Sequence, residues 1–216
     1  MIFRRKRDSA DPGEEVDSTD DRGSAPAEPV FGPFDVDDVN LESADPPRVD
    51  LGSLLLTPRP TLELRLQVDE ASSTVLAVLL VTQDSALELR PFAAPRSEGI
   101  WAEVRREIAA EATRQGGTAS ESAGPFGPEL RLVMPVRAPD GAQGVQISRI
   151  VGVDGPRWLL RGTFLGQAVE PELAGELEDV FREVVVVRGS APMAPREPLP
   201  LSMPGSAELP EGPAVG

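Results

Sequence analysis

Leu62, Leu64, Leu66 and Val68 alternate with Glu63, Arg65 and Gln67, and this period of two commits the segment to a half-buried strand. A helix would scatter the same leucines around its circumference. A turn at Asp69-Glu70-Ala71-Ser72 leads into Thr74–Val81, whose Val and Leu suit a central strand. Gln83-Asp84-Ser85 turns the chain again, into Ala86–Phe92, with Leu87 and Leu89 on one face. These three segments predict an antiparallel meander.

The period then changes. Trp101, Val104, Ile108 and Ala112 recur at helical spacing, with Ser97 as the expected N-cap, Glu98 in the first turn and Gly116-Gly117 as the stop. A short strand is expected near Thr118–Ala123. Glu129–Val136, Val145–Val153 and Trp158–Phe164 then read as strands, separated by the turns Ala138-Pro139-Asp140-Gly141 and Val153-Asp154-Gly155-Pro156-Arg157. A second helix opens at Pro171 and carries Leu173, Leu177, Val180, Phe181 and Val184 on one stripe. The β-branched run Val184–Val187 fits either the end of that helix or a short strand. The fold class is α+β: a mostly antiparallel sheet, in the order β-β-β-α-β-β-β-β-α, with two helices packed on it.

Charge divides the chain. Of the net −15, residues 8–60 carry −11, residues 61–190 only −6, and Arg4, Arg5, Lys6 and Arg7 give the first seven residues +4. Residues 1–30 read as a disordered basic-then-acidic tail, because so few aliphatic side chains cannot offset the entropy of ordering it. From Phe31 to residue 60 the chain reads as an acidic arm packed on the domain, anchored by Phe31, Phe34 and Leu54-Leu55-Leu56. Residues 61–189 form a single α+β domain. From Ser190 onward seven of 27 residues are Pro, which predicts an extended tail where only Pro198-Leu199-Pro200-Leu201 is suited to docking. The longest apolar stretch, Val75–Val81, is far short of the roughly 20 residues of a membrane span, so a cytoplasmic chain without a membrane span is expected.

The absent residue types narrow the chemistry further. The sequence has no His, Cys or Tyr, and Lys6 is its one lysine. Imidazole bases, thiolate nucleophiles, His/Cys metal sites and disulfides are therefore excluded. No P-loop, dinucleotide fingerprint or nucleophile elbow occurs. Asp35-Val36-Asp37-Asp38 offers oxygen ligands to a hard cation but lacks the Gly turn and distal Glu of a calcium loop. No catalytic, cofactor or metal residue is assigned.

One segment concentrates recognition chemistry. Arg157 and Arg161 flank Trp158 on a predicted strand, where residues four apart share a face with Leu159, leaving Trp158, Leu160 and Phe164 on the other. With Arg149 and Arg131 on adjacent strands, Arg157, Trp158, Arg161 and Arg149 form the candidate anion- or partner-binding set. The alternative is a core Trp with arginines paired to carboxylates of the arm or helices.

Several segments carry a family resemblance. They include Gly32-Pro33-Phe34-Asp35, Arg48-Val49-Asp50-Leu51-Gly52-Ser53-Leu54, Phe92-Ala93-Ala94-Pro95-Arg96-Ser97 and Glu103-Val104-Arg105-Arg106-Glu107-Ile108. Gly155-Pro156-Arg157-Trp158 and Pro195-Arg196-Glu197-Pro198-Leu199-Pro200-Leu201 belong to the same set. Together they resemble an actinobacterial family known as a domain of unknown function, over residues 32–201. The resemblance implies no activity and no catalytic residues.

The expected function is that of a non-catalytic protein-binding or adaptor domain whose partner is another protein. The alternative is weak nucleic-acid or anion binding through the Arg/Trp strand, which the acidic balance of the chain opposes. A carboxylate- or metal-dependent enzyme is the further alternative.

Overall fold

A computed structural model describes residues 32–43, 46–137 and 141–205. The expectations placed on residues 1–31, on Ala138-Pro139-Asp140 and on 206–216 lie outside the described residues. The fold is α+β. The arm contributes three short strands, Phe34–Asp35 (β1), Val49–Asp50 (β2) and Leu54–Leu56 (β3). The domain follows with Glu63–Asp69 (β4), Thr74–Val81 (β5), Ser85–Ala93 (β6) and the helix Trp101–Arg114 (α1). Thr118–Gly124 (β7), Gly127–Arg137 (β8), Gln143–Gly155 (β9) and Trp158–Gly166 (β10) come next, then Pro171–Glu183 (α2) and Val185–Val186 (β11).

Two meanders, β4-β5-β6 and β7-β8-β9-β10, join edge to edge through β6 and β10. The result is one seven-stranded antiparallel sheet in the order β4-β5-β6-β10-β9-β8-β7. A second sheet, β1-β11-β3-β2, ties the arm to the chain after α2. The β-branched run therefore divides: Val184 follows the helix, and Val185-Val186 pairs parallel with β1 and antiparallel with β3.

The large sheet has two differently covered faces. On one, Val78, Leu80, Leu87, Leu89, Leu160 and Phe164 pack against Leu177, Val180 and Phe181 of α2 and Leu51, Leu54 and Leu56 of the arm. Each of the larger buried side chains contributes about 1.5–3 kcal/mol. On the other, Trp101 and Ala112 of α1 and Ile100 just before it pack on Leu130, Leu132, Ile150 and Leu159. Trp101 lies across β9 at Gly152, where any β-carbon would overlap the indole.

Residues after β11 close the first face. Arg196 N donates to Ala93 O (2.7 Å), Ala93 N to Glu197 O (2.8 Å) and Leu199 N to Pro91 O (3.0 Å), so this strap runs beside β6. Leu199 is buried, and Leu201 bridges to Gly52 and Val75. Arg48 of the arm donates to Glu183 O (2.6 Å) at the C-terminal end of α2, where a cation also complements the helix dipole.

Two local expectations are corrected. The first helix does not begin at Ser97, which is exposed in a bend; it begins at Trp101. Its first amides are capped from a distance by Asp154, near the end of β9, whose Oδ1 accepts from Ile100 N (2.8 Å) and Trp101 N (3.2 Å). The stripe of the second helix is also shorter than its spacing implies. Gly175 adopts φ 47° and kinks α2, so Leu173, ahead of the kink, is 58% exposed while Leu177, Val180 and Phe181 are buried.

Replacing Asp154 by Ala is expected to cost about 1–2 kcal/mol in urea unfolding, as for loss of an N-cap. Ser97→Ala is expected to stay within about 0.5 kcal/mol of wild type.

Candidate functional site

The four candidate residues do not form one patch. Trp158 is 1% exposed, and its Nε1 donates to Asp35 Oδ2 of β1 (2.6 Å). The indole thus fixes the arm to the core, and it commits the Asp35 carboxylate, whose Oδ1 also accepts from Asp37 N (3.0 Å). Arg157 is not on the strand but in the turn before it, at φ 64°, with Nη2 donating to Gly189 O (3.1 Å). That geometry separates it from Arg161 and removes the co-facial pair expected from strand spacing.

Arg149 lies on the α2 face, 2% exposed, stacked 4.3 Å from the Phe164 ring centroid and paired with Glu178 Oε2 (2.9 Å). Arg131 sits directly opposite it on β8 and pairs with Glu170 (2.7 Å). Breaking a buried pair such as Arg149–Glu178 costs about 3–5 kcal/mol, so Arg149 is committed to holding α2 on the sheet.

The same cluster contains a residue that the sequence did not single out. Glu129 of β8 is buried, and its Oε2 has no hydrogen-bond partner among the described residues. Burial holds its carboxyl above the ordinary range; Arg149 opposes this and Glu178 adds to it. Arg182 of α2 completes the group, bonded to Glu178 and stacked 5.3 Å from Phe126. Strand alternation places Glu129 on the face of Arg131, but nothing local shows that this face is sealed by α2.

Arg161 has a different setting, on the α1 face. Register places it opposite Arg90 of β6, and Leu159 opposite Phe92. Like charges directly across a sheet repel. Glu88 answers Arg90 through two contacts, at 2.8 and 3.3 Å, but reaches Arg161 only at 3.9 Å. The Arg161 guanidinium stacks 5.3 Å from the Phe92 ring, and its Nε is buried without a hydrogen-bond partner among the described residues. Beside it opens a pocket of about 220 Å³ lined by Phe92, Leu159, Ile100, Val104 and Ile108, with Glu107 and Arg196 also in its lining. Arg196 of the strap is held there by Glu103 (2.7 Å) and Glu107 (2.9 Å).

A second feature lies beyond the end of the sheet. β7 pairs with β8 only as far as Val133, and β10 with β9 only as far as Ser148. Met134–Arg137 and Gln143–Ile147 therefore continue as a two-stranded ribbon. Val145 is 66% exposed, Ile147 36% and Val136 39%. Arg137 is the one charged residue in these two stretches.

The model of a family described as Protein of unknown function (DUF3710) matches residues 32–209. The chain belongs to this family. No curated protein is matched. Family membership therefore supplies no catalytic or binding residue. No helix among the described residues is long and apolar enough to cross a membrane.

Glu129 gives a pH signature. Because the folded state keeps this proton to higher pH than the unfolded chain, its contribution to stability falls as pH rises from the ordinary Glu range through the raised value. Glu129→Gln is expected to stabilise the protein by about 1 kcal/mol at pH 7. The gain should vanish below about pH 4, where the carboxyl is protonated in both states. Thermal melts across that range check it.

Proposed function

We propose that the chain is a cytoplasmic, non-catalytic protein-binding domain that docks a protein partner on the ribbon of β8 and β9. The exposed apolar ribbon carries this reading. An isolated pair of strands is marginally stable in water, and natural sheets guard free strands with charge, Pro or cover. Here Val145 and Ile147 stand in solvent on one side of the ribbon and Val136 on the other, guarded only by Arg137 and Pro135. The exposed apolar pair Val145 and Ile147, on one face of an uncovered strand, marks a surface that a partner covers. Non-catalytic action is supported by the residue inventory, which offers no imidazole or thiol, and by the commitment of Asp35 and Glu178 to Trp158 and Arg149. The arginine-for-lysine usage supports an actinobacterial source.

The nucleic-acid reading loses its main support from the placement of Trp158, since a buried indole offers no ring for a base to stack on.

Immobilised full-length chain is expected to retain a protein stoichiometrically, at low and moderate salt, from an extract of cells that carry the family. The double variant Val145→Asp, Ile147→Asp should lose that protein while keeping its melting temperature within about 2 °C, as solvent-facing substitutions do. Equal retention by both, or by neither, rejects the proposal.

A further inference from the structure

We propose that the pocket between α1 and the β6–β10 pair binds a small monocarboxylate with a compact apolar body. This inference is independent of docking on the ribbon. Three observations at one place carry it.

The first is a charge imbalance. Arg90 and Arg161 face each other across β6 and β10, and one carboxylate, Glu88, serves both. Glu88 is engaged twice by Arg90, and its 3.9 Å approach to Arg161 is too long for a hydrogen bond. Two positive charges thus share one carboxylate, and Arg161 holds the longer, 3.9 Å, end of that pairing.

The second is the state of Arg161. Its Nε is buried and unpartnered among the described residues, while Phe92 holds the plane of the guanidinium. Burial, and after it the neighbouring Arg90, lower its basicity, and Glu88 offsets this only in part. A guanidinium presents parallel N–H donors, and a carboxylate is the anion that meets them in a fork.

The third is the shape and chemistry of the space beside it. The walls at Phe92, Leu159, Ile100, Val104 and Ile108 are apolar. A volume of about 220 Å³ corresponds to about seven water-sized groups, which suits an acid of about five to seven carbons. Inorganic phosphate or sulfate would leave those walls without contacts, and a neutral hydrocarbon would leave Arg161 unpaired. Arg196, held to Glu103 and Glu107, borders the same space from the strap and is already paired.

The test uses the full-length chain and two probes of the same shape, 4-methylpentanoate and its amide, at constant ionic strength. Thermal shift and ligand-observed NMR are expected to show saturable binding of the acid and at least about tenfold weaker binding of the amide, since the fork is lost. Arg161→Met keeps an apolar stem and should abolish the preference, whereas Val145→Asp, Ile147→Asp should leave it intact. Equal binding of acid and amide, absence of binding by both, or an unchanged preference in Arg161→Met overturns the proposal. If Arg161→Met fails to fold, the acid-over-amide ratio of the wild-type chain decides by itself. Because the ribbon variant is read separately, loss of partner docking and loss of acid binding are distinguishable.

Discussion

The antiparallel pairing of β6 with β10 is the constraint from which the rest of the molecule follows. Nine residue pairs, from Trp158 opposite Ala93 to Gly166 opposite Ser85, join two meanders that neither share a hairpin nor adjoin in sequence. Without that seam each meander would carry a free edge and an incomplete apolar face. With it, Leu87 and Leu89 continue into Leu160 and Phe164 as one surface, and α2, the arm and the strap close over it. The same register sets Leu159 beside Phe92 and Arg161 beside Arg90, so the floor of the pocket and its charge imbalance both come from the pairing that completes the core.

The two faces of the sheet are used differently. The α2 face is sealed, and its polar groups serve cohesion: Trp158 bonds Asp35, Arg149 bonds Glu178, and Arg131 reaches Glu170. A buried carboxylate such as Glu129 costs stability there, because its desolvation is incompletely answered. On the other face α1 packs over β7, β8 and β9, while the outward side chains Glu63, Arg65 and Gln67 of β4 meet solvent. The pocket lies where the helix borders the open half of that face. The ribbon extends beyond both layers, where no neighbouring strand among the described residues follows β8 and β9.

Much of the architecture was legible. Alternation at Leu62, Leu64 and Leu66, the Val/Leu run of β5 and the helical spacing of Trp101, Val104, Ile108 and Ala112 gave the elements and the α+β class. Side-chain periodicity reflects which side of each element is wet, and that is written within a few residues. The candidate site was legible only in part. Alternation separated Leu159 and Arg161 from Trp158, Leu160 and Phe164, as the two cores show. Arg157 was misplaced because a left-handed turn residue at φ 64° breaks the strand phase one position before Trp158. Ser97 failed as a cap for a related reason: the helix start is capped by Asp154, 54 residues beyond Ile100 in sequence.

The sequence by itself determined the strands of the large sheet, the two helices, their order, the class of the fold and the chemistries that are unavailable, because composition and periodicity are local properties of the chain. The short strands of the arm sheet form only by pairing between distant segments. Only the tertiary structure decided what each arginine does. Trp158 and Asp35 are 123 residues apart, Arg149 and Glu178 are 29 apart, and Arg161 meets Arg90 across the seam between two meanders. A guanidinium's role depends on which carboxylate or ring lies within a few ångströms. That is fixed by strand register and helix docking between distant segments, which no spacing along the chain encodes.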